Sequence, residues 1–398
     1  MKYSFKSVCA NENNAKWNNI ISRQMPLYSR NNDIRSEFER DFTRVIHSNA
    51  YRRLKHKTQV FYSPQNDHIC TRIEHVNHVE SISYTISHYL GLNCELTRAI
   101  AVSHDLGHSP FGHKGEKVLD SICKKDLNAS FWHEKNGLYL VDKIELLEDN
   151  EGFKRNLDLT YGVRDGIVSH CGEIDENSIR PRDEFINLDE YKYPNEYSPY
   201  TWEACVVKIA DKISYIGRDI EDAITLGILN EHLDKLHELL GKTSGTINNT
   251  VIINNLIWDL CQNSSPENGL CFSNENFEIM NKIKKFNYEY IYGSELLNPS
   301  NEYFSIVLNR IYNTLKECYS EHNTFEKLSN LSKYYPKLVN GFKSFLINYI
   351  FMENRVNLKN EILYDISKSN DYYMAILEYM SGMTDKFAID MYNEIISF

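Results

Sequence analysis

Apolar residues recur at steps of three and four positions along two long stretches of the chain, and this spacing constrains the fold more than any other feature. The first stretch stops at Gly91, and its apolar positions are Val76, Val79, Ile82, Ile86 and Leu90. The second is a stripe of isoleucine and valine between Val206 and Ile224. This period is that of an α-helix with one buried face, and glycine often ends such a helix. Both stretches are therefore predicted to be long amphipathic helices.

Helical spacing also begins at Ser36, returns from about Leu96 to Leu106, and governs most of residues 228–398. Strand-type alternation is sparse, so the chain is predicted to be all-α, with few or no strands. Its 398 residues exceed the usual size of one hydrophobic core. We expect an irregular arm (1–35), a helical core (36–227) and a C-terminal helical region (228–398) packed on the core. Glycine and proline make residues 160–200 loop-rich, as in a flap.

The bulk composition excludes several classes of protein. With 44 basic and 55 acidic residues the formal charge is −11, and the broad positive field of a dedicated nucleic-acid-binding protein is missing. No signal peptide or membrane-length apolar segment is evident. Nine widely spaced cysteines without a C-x-x-C pair fit a reducing compartment. A cytoplasmic protein without membrane contact is expected.

Four side chains of the metal-ligand type lie in or beside the best-patterned helices: His75, His104, Asp105 and Asp211. Each alone has an ordinary explanation, as a hydrogen-bonded core histidine or a solvated aspartate. Together, imidazole and carboxylate ligands suit Mn, Fe, Zn, Ni or Mg. The set predicts a divalent metal site that leaves coordination positions open for water or substrate.

The stretch HDLGHSPFGHKGE (104–116) adds three further ionisable groups, His108, His113 and Glu116. Gly107 and Gly112 allow backbone positions that a β-carbon would obstruct. Packing gives no reason for so many histidines and carboxylates on one short loop. The stretch therefore predicts the active site of a metal-dependent hydrolase.

These residues lie in blocks that resemble the HD-domain superfamily of metal-dependent phosphohydrolases, and more narrowly the bacterial dGTPase-like deoxynucleoside triphosphate triphosphohydrolases. The blocks run in family order from near residue 30 to near residue 392. Three of them indicate the triphosphohydrolase branch: KTQVF (57–61), GHSPFGHKGE (107–116) and GMTDKFA (382–388). The resemblance implies hydrolysis of a dNTP, dGTP by default, at the α-phosphorus, which yields deoxynucleoside and inorganic triphosphate.

The resemblance also implies roles for individual residues. Catalytic roles fall on His113, Glu116, His108 and His133, and substrate-binding roles fall on Gln59, Arg72, Lys212, Tyr215 and Asp219. In these roles His113 protonates the leaving oxygen, Glu116 orients or protonates His113, and Tyr215 packs where a ribose 2′-hydroxyl would lie. Taken alone, Tyr215 and Asp219 would be an ordinary core-edge tyrosine and a salt-bridged aspartate, and His133 an exposed loop residue.

Further implications concern partners and cofactor: a divalent ion (Mn, Mg or Fe), a hexamer or tetramer of identical subunits, and a regulatory nucleotide or single-stranded DNA. The basic segment Arg52–Lys57 is either a solvated helix face or part of such an interface. Two other functions stay open. One is another HD phosphohydrolase, namely a nucleotidase or a guanosine-tetraphosphate or cyclic-dinucleotide hydrolase. The other is a non-catalytic nucleotide sensor or nucleic-acid-binding module. Asp385 has no predicted role beyond a helix cap or salt bridge.

Overall fold

The computed structural model describes residues 2–27, 33–62, 66–171, 176–239 and 249–397. Within these ranges the chain forms seventeen α-helices and one two-stranded sheet, which confirms the predicted all-α class. The first nine helices are α1 (Trp17–Ile20), α2 (Glu37–His47), α3 (Asn49–Arg53), α4 (Arg72–Leu90), α5 (Cys94–Ser103), α6 (Gly112–Leu127), α7 (His133–Tyr139), α8 (Tyr161–Ser169) and α9 (Trp202–Thr225). The others are α10 (Leu233–Leu239), α11 (Asn249–Asn263), α12 (Asn274–Phe286), α13 (Asn298–Lys316), α14 (Thr324–Leu331), α15 (Pro336–Ile347), α16 (Ser369–Ser381) and α17 (Asp385–Ile396).

Short non-α elements lie between these helices. Strands β1 (Leu146–Glu148) and β2 (Lys154–Asn156) pair antiparallel, with Leu146 opposite Asn156. Two π-helical turns cover Leu140–Ile144 and Asn287–Tyr292, and 3-10 turns cover Leu54–His56, Leu188–Glu190 and Glu295–Leu297.

Local sequence sets the ends of the helices that carry the predicted metal ligands. At the start of α4, the Glu74 carboxylate accepts a hydrogen bond from the Thr71 amide at 2.7 Å, and α4 ends at Gly91 with φ +81°. The hydroxyl of Thr201 accepts from the Ala204 amide at 3.2 Å and caps α9. Both long helices are confirmed. The third ends at Ser103 rather than near Leu106, because the chain turns away immediately after it.

The first hydrophobic core joins α4, α5 and α9, whose buried stripes face one another. It also receives Phe5 from the N-terminal arm, whose ring lies edge-on against Trp202 at 4.9 Å between centroids. The arm is irregular over most of its described part, yet it is anchored by Phe5 and also by the buried Ala10 and Ile20. The core extends along the chain to Ile291, while the predicted domain division at residue 228 stays a prediction.

A second core contains side chains of α6 together with α13, α15, α16 and α17. Helix α6 begins inside the predicted active-site stretch, at Gly112, and contributes Leu119 and Ile122 to this core. The C-terminal helices therefore pack against α6, the helix that carries His113 and Glu116.

The region 160–200 differs from its prediction in its first part, where α8 replaces loop. Beyond α8 the described residues form loop with one 3-10 turn; Gly172 lies outside the described ranges. Asp165 anchors this loop, accepting from Arg182 Nη2 at 2.5 Å and from the Tyr200 amide at 2.7 Å. None of the helices in the described ranges has the length and apolarity needed to cross a membrane.

Candidate metal centre and active site

The structure brings the four predicted metal ligands together from three helices. His75 lies in the first turn of α4, His104 and Asp105 follow α5, and Asp211 lies in α9. His75 Nε2 is 2.9 Å from Asp211 Oδ1 and 3.8 Å from Asp105 Oδ2. His104 Nε2 is 3.6 Å from Asp105 Oδ1 and 3.9 Å from Asp211 Oδ1. Two imidazoles and two carboxylates are thus brought together. The ligand atoms of His75, His104 and Asp211 lie within 4.8 Å of one another, and those of His104 and Asp105 form a second such group with His170.

His104 shows that this cluster fits a metal ion. Its Nδ1 lies 2.7 Å from the carbonyl oxygen of Ala101, so Nδ1 carries the proton and Nε2 is left as an electron-pair donor. His104 Nε2 is buried and has no hydrogen-bond partner among the described residues. A buried acceptor without a partner is costly, and ligation of a cation would satisfy it.

Both carboxylates of the cluster are ionised at neutral pH, as metal ligands must be. Burial alone would raise the pKa of Asp105, but the Arg72 guanidinium at 2.6 Å and the neighbouring imidazoles hold it well below its usual range. Burial likewise opposes ionisation of Asp211, yet its hydrogen bond with His75 lowers its pKa to about 2. The site therefore concentrates negative charge that a divalent cation would balance.

Arg72 is fully buried and contacts protein groups throughout. Nη1 donates to Asp105 Oδ2 at 2.6 Å, while Nε and Nη2 donate to the Thr58 carbonyl at 3.3 and 3.1 Å. Nη2 also donates to the Gln59 carbonyl at 3.1 Å. In this arrangement Arg72 orients Asp105 and fixes the chain before Gln59. Its predicted role in substrate binding stays a prediction.

A second cluster of ionisable groups lies beside this metal-ligand cluster. It consists of His108, His113, Glu116 and His133, is centred on Glu116, and is called the acid/base cluster below. Glu116 Oε2 is 3.3 Å from His113 Nδ1 and 3.1 Å from His133 Nδ1, and Oε1 accepts from the His133 amide at 3.3 Å. The sequence placed His113 and Glu116 on a loop, and this was wrong, because α6 already begins at Gly112. Their spacing of three residues places both on one face of the helix.

The two clusters are in contact. His108 Nε2 is 3.4 Å from Asp105 Oδ1, and the His108 ring lies 3.8 Å from the His133 ring between centroids. Burial and the nearby Arg72 charge lower the pKa of His108 well below its usual value. Burial opposes the charge on His133, but Glu134 and Glu116 raise its pKa well above its usual value. Adjacent imidazoles therefore differ in protonation, which is typical of acid/base sites.

Gly107 allows these clusters to approach each other. A β-carbon at Gly107 would lie 2.0 Å from the His133 carbonyl oxygen and 2.2 Å from the Gly137 nitrogen. No side chain fits there, so α7 packs directly on the backbone after His104 and Asp105. This bears out the prediction that Gly107 occupies a place a β-carbon would obstruct.

Comparison with known proteins identifies the family of this chain. The HD domain family model matches residues 72–216. A deoxyguanosinetriphosphate triphosphohydrolase-like protein of Caldanaerobacter subterraneus subsp. tengcongensis is 32% identical over 365 residues, covering 91% of this chain and 86% of the relative. A protein of the same description from Rickettsia prowazekii is 32% identical over 396 residues, covering 95% and 94%. The chain belongs to the deoxyguanosinetriphosphate triphosphohydrolase-like family of HD-domain proteins.

As a family member, the protein is a metal-dependent phosphohydrolase with an HD domain, and its substrate class is nucleoside triphosphates. HD domains bind divalent metals. Three further predicted site residues lie on α9 near Asp211. Tyr215 and Asp219 share one face of α9, with Lys212, which is buried, beside Asp211. Asp219 Oδ2 accepts from the Tyr292 hydroxyl at 2.5 Å. Burial raises the pKa of Asp219 to about 7.

The sequence did not identify Tyr292 or its neighbour Tyr288, which lie in the π-helical turn Asn287–Tyr292. Asn287 Nδ2 donates to the Ile216 carbonyl at 3.1 Å and holds this turn on α9. The four-residue spacing of the two tyrosines is visible in the sequence. Only the hydrogen bond between Tyr292 and Asp219, seen in the structure, links this turn to the site.

His170 was also missed, and a signal for it exists. His104 and His170 both follow a Val-Ser pair at the end of a helix, and both place Nδ1 2.7 Å from the carbonyl oxygen three residues earlier. His170 Nε2 is 4.0 Å from Asp105 Oδ1, and its ring lies 4.9 Å from that of His104 and 5.5 Å from that of His133. It lies between the two clusters.

Proposed function

We propose that the protein hydrolyses deoxynucleoside triphosphates, dGTP by default, at the α-phosphorus, releasing deoxynucleoside and inorganic triphosphate. The observation that carries this proposal is the direct contact between the metal-ligand cluster and the acid/base cluster, in which Asp105 Oδ1 lies 3.4 Å from His108 Nε2. The family names support the nucleotide class. Tyr215 and Asp219, which share one face of α9 beside the metal-ligand cluster, support a nucleoside as the part of the substrate that is recognised.

In this proposal the metal is held by His75, His104, Asp105 and Asp211 and is Mn, Mg or Fe. When bound, a divalent ion polarises a phosphoryl oxygen and lowers the pKa of a water molecule. Lys212 and Arg72 add positive charge beside the phosphates. The buried His108 supplies a neutral imidazole on the same side, since its pKa is lowered by burial and by Arg72.

Departure of the 5′-oxygen needs a proton, and His113 is placed to give it. Its side chain is 64% exposed, so it faces the open side of the site, while Glu116 holds its Nδ1. His133 binds the same carboxylate from the buried side. Breakage of the bond between the α-phosphorus and the 5′-oxygen transfers this proton to the nucleoside, and the oxygen of water joins the triphosphate.

The sugar is bound by Gln59, Tyr215 and Asp219. Gln59 Oε1 is buried without a hydrogen-bond partner among the described residues, so a ligand hydroxyl would satisfy it. Tyr215 packs beside the first core and fills the place of a 2′-hydroxyl. A preference of the enzyme for dGTP over GTP follows.

Product analysis tests the proposal. The purified protein is incubated with each of the four dNTPs and with GTP, in Mg or Mn, and deoxynucleoside and phosphate products are separated. Inorganic triphosphate with deoxynucleoside supports the proposal. Pyrophosphate or monophosphate would indicate another HD phosphohydrolase instead. Steeply salt-dependent DNA binding without turnover of any dNTP would indicate a sensor or nucleic-acid-binding module.

A homo-oligomer, hexamer or tetramer, and a cytoplasmic location remain part of this proposal. The first is measured by light scattering of the purified protein. All nine cysteines are unpaired, which supports a reducing compartment.

We also propose a place for the regulatory nucleotide that the resemblance implies. A cavity of about 470 Å³ lies away from the metal cluster, lined by Asp33, Arg35, Arg40, Thr43, Arg44, His47, Arg52, Leu147 and Glu148. Four arginines line this cavity, and planar guanidinium groups suit a polyphosphate. Two of them already pair with Asp33, Arg35 at 2.9 Å and Arg40 at 3.7 Å, so a bound polyphosphate would have to compete with that carboxylate. Part of the basic segment Arg52–Lys57 does not belong there, because Lys57 is buried and Arg53 pairs with Glu145 at 2.6 Å.

Charge reversal tests this second site. Arg52→Glu is expected to weaken binding of a non-hydrolysable dNTP at the cavity and to remove any activation by a second dNTP, with basal turnover unchanged. Lys333→Glu, on the surface of the C-terminal region, serves as the control. Equal activation in the Arg52 variant and in wild type would contradict the assignment.

A further inference from the structure

Asp385 begins α17, far along the chain from the metal cluster, yet its carboxylate binds two backbone amides of the active site. Oδ2 accepts from the Thr58 amide at 2.7 Å, and Oδ1 accepts from the Phe111 amide at 2.8 Å. The carboxylate is buried, with Asp385 only 3% exposed. Thr58 directly precedes Gln59, and Phe111 lies between His108 and His113. One side chain therefore holds the sugar side and the phosphate side of the site together.

A lysine reinforces this junction from the other direction. The buried Lys57 Nζ donates to the His108 carbonyl, and it donates to the Ser381 carbonyl at 3.0 Å. Ser381 ends α16, a few residues before Asp385. The connection between α16 and α17 thus binds the segment 57–58 and the loop 108–111 at the same time.

The loop needs such support because of its backbone. Phe111 has φ +64° and ψ +24°, a left-handed conformation that residues with a side chain rarely adopt. Gly112 follows with φ +56°. These two residues turn the chain so that His113 and Glu116 face His133. Phe111 is held there by its hydrogen bond to Asp385 and by its ring, which stacks on Phe304 at 4.2 Å with an interplanar angle of 4°.

The same carboxylate also acts on the metal cluster through one further residue. The Thr58 carbonyl accepts from Arg72 Nε and Nη2, and Arg72 Nη1 donates to Asp105. A shift of Thr58 would therefore move the guanidinium that orients a metal ligand. The hydrogen bonds of the Asp385 carboxylate go to the Thr58 and Phe111 amides, not to a predicted metal ligand.

We propose that Asp385 is a positioning residue that aligns the proton-donating His113 and the sugar-binding Gln59 by fixing the amides of Phe111 and Thr58. The proposal rests on the proposed function for its kinetic consequence only. It gives the GMTDKFA block, which the sequence left without a role, a place in the site. A misplacement of about 1 Å in a catalytic group can cost roughly 10²-fold in rate.

The experiment compares Asp385→Asn with Thr384→Ala. Asparagine keeps the shape of the side chain, but its NH₂ group opposes one of the two amides. Thr384 is the matched control, because its hydroxyl accepts from the Phe387 amide at 3.2 Å and caps the same helix without touching the active-site segments. Asp385→Ser is the second variant, in case the asparagine does not fold.

We expect Asp385→Asn to lower kcat by roughly 10²-fold, with a much smaller change in KM. Hydrogen exchange of the peptides that contain Thr58 and Phe111 should rise in this variant and not in Thr384→Ala. Equal losses of kcat in the two variants, or unchanged exchange in Asp385→Asn, would overturn the proposal. If wild type releases triphosphate from no dNTP, the proposed function fails, and the exchange measurement still decides the role of Asp385.

Discussion

Glu378 lies in α16, inside the second hydrophobic core, and its burial predicts how stability changes with pH. The residue is 7% exposed and Oε2 has no hydrogen-bond partner among the described residues. The tyrosines nearby, Tyr139 and Tyr364, are neutral groups of the same core. Burial raises the pKa of Glu378 from 4.5 to about 8. The native state therefore keeps a proton that the unfolded chain releases at neutral pH.

The direction and size of the effect follow from this difference. Below pH 4.5 both states are protonated, and pH has no effect through this group. Between 4.5 and about 8 the native state binds more protons than the unfolded state, so the free energy of unfolding falls as pH rises. The pKa difference is 8 − 4.5 = 3.5, and at about 1.4 kcal/mol per unit the total loss is at most about 5 kcal/mol. Above pH 8 the loss is complete.

Glu378→Gln has nearly the same shape and cannot ionise, so it should remove this dependence. Thermal unfolding of both proteins at pH 5, 6, 7 and 8 measures it. The Tm of the variant should match wild type at pH 5 and exceed it progressively toward pH 8. Glu353→Gln, in an exposed loop, is the control and should follow wild type. Parallel curves for Glu378→Gln and wild type would refute the argument that this carboxyl is buried and protonated.

Two predictions concern the active site. Asp105→Ala removes an anionic ligand and should abolish turnover and lower the metal content measured by elemental analysis; near-native activity and metal would show that the ligand assignment is wrong. His113→Ala should lower kcat by roughly 10²–10⁴-fold while a non-hydrolysable dNTP still binds, and an unchanged rate would remove His113 from the mechanism.

Residues with a strong local signal were predicted well. α4 and α9 follow from apolar spacing alone, and the predicted ligands on them, His75 and Asp211, meet because the buried faces of the two helices pack together. The position of His113 was not predicted, since Gly112 indicates a loop in sequence. In the structure Gly112 has a positive φ and is the first residue of α6, directly after Phe111. The Phe111 amide is in turn bound by the distant Asp385.

Other site residues were missed because their signal is tertiary. Tyr292 belongs to the site through a hydrogen bond to Asp219, across 73 positions of sequence. A tyrosine in a tyrosine-rich segment gives no local sign of such a contact. His170 is different, since the Val-Ser-His ending it shares with His104 could have been read from the sequence. The sequence alone gave no reason to expect that the same helix ending would orient both imidazoles in the same way.

The contact between the two clusters limits what any single substitution can show. Asp105 Oδ2 is bound by Arg72, while Asp105 Oδ1 lies 3.6 Å from His104 Nε2 and 3.4 Å from His108 Nε2. Removing this carboxylate takes away a predicted metal ligand, releases a buried guanidinium and changes the charge facing His108. A loss of rate in Asp105→Ala is therefore the sum of coupled effects, and residues that act as a unit are not additive. The metal content, measured separately, isolates the ligand role from the other two.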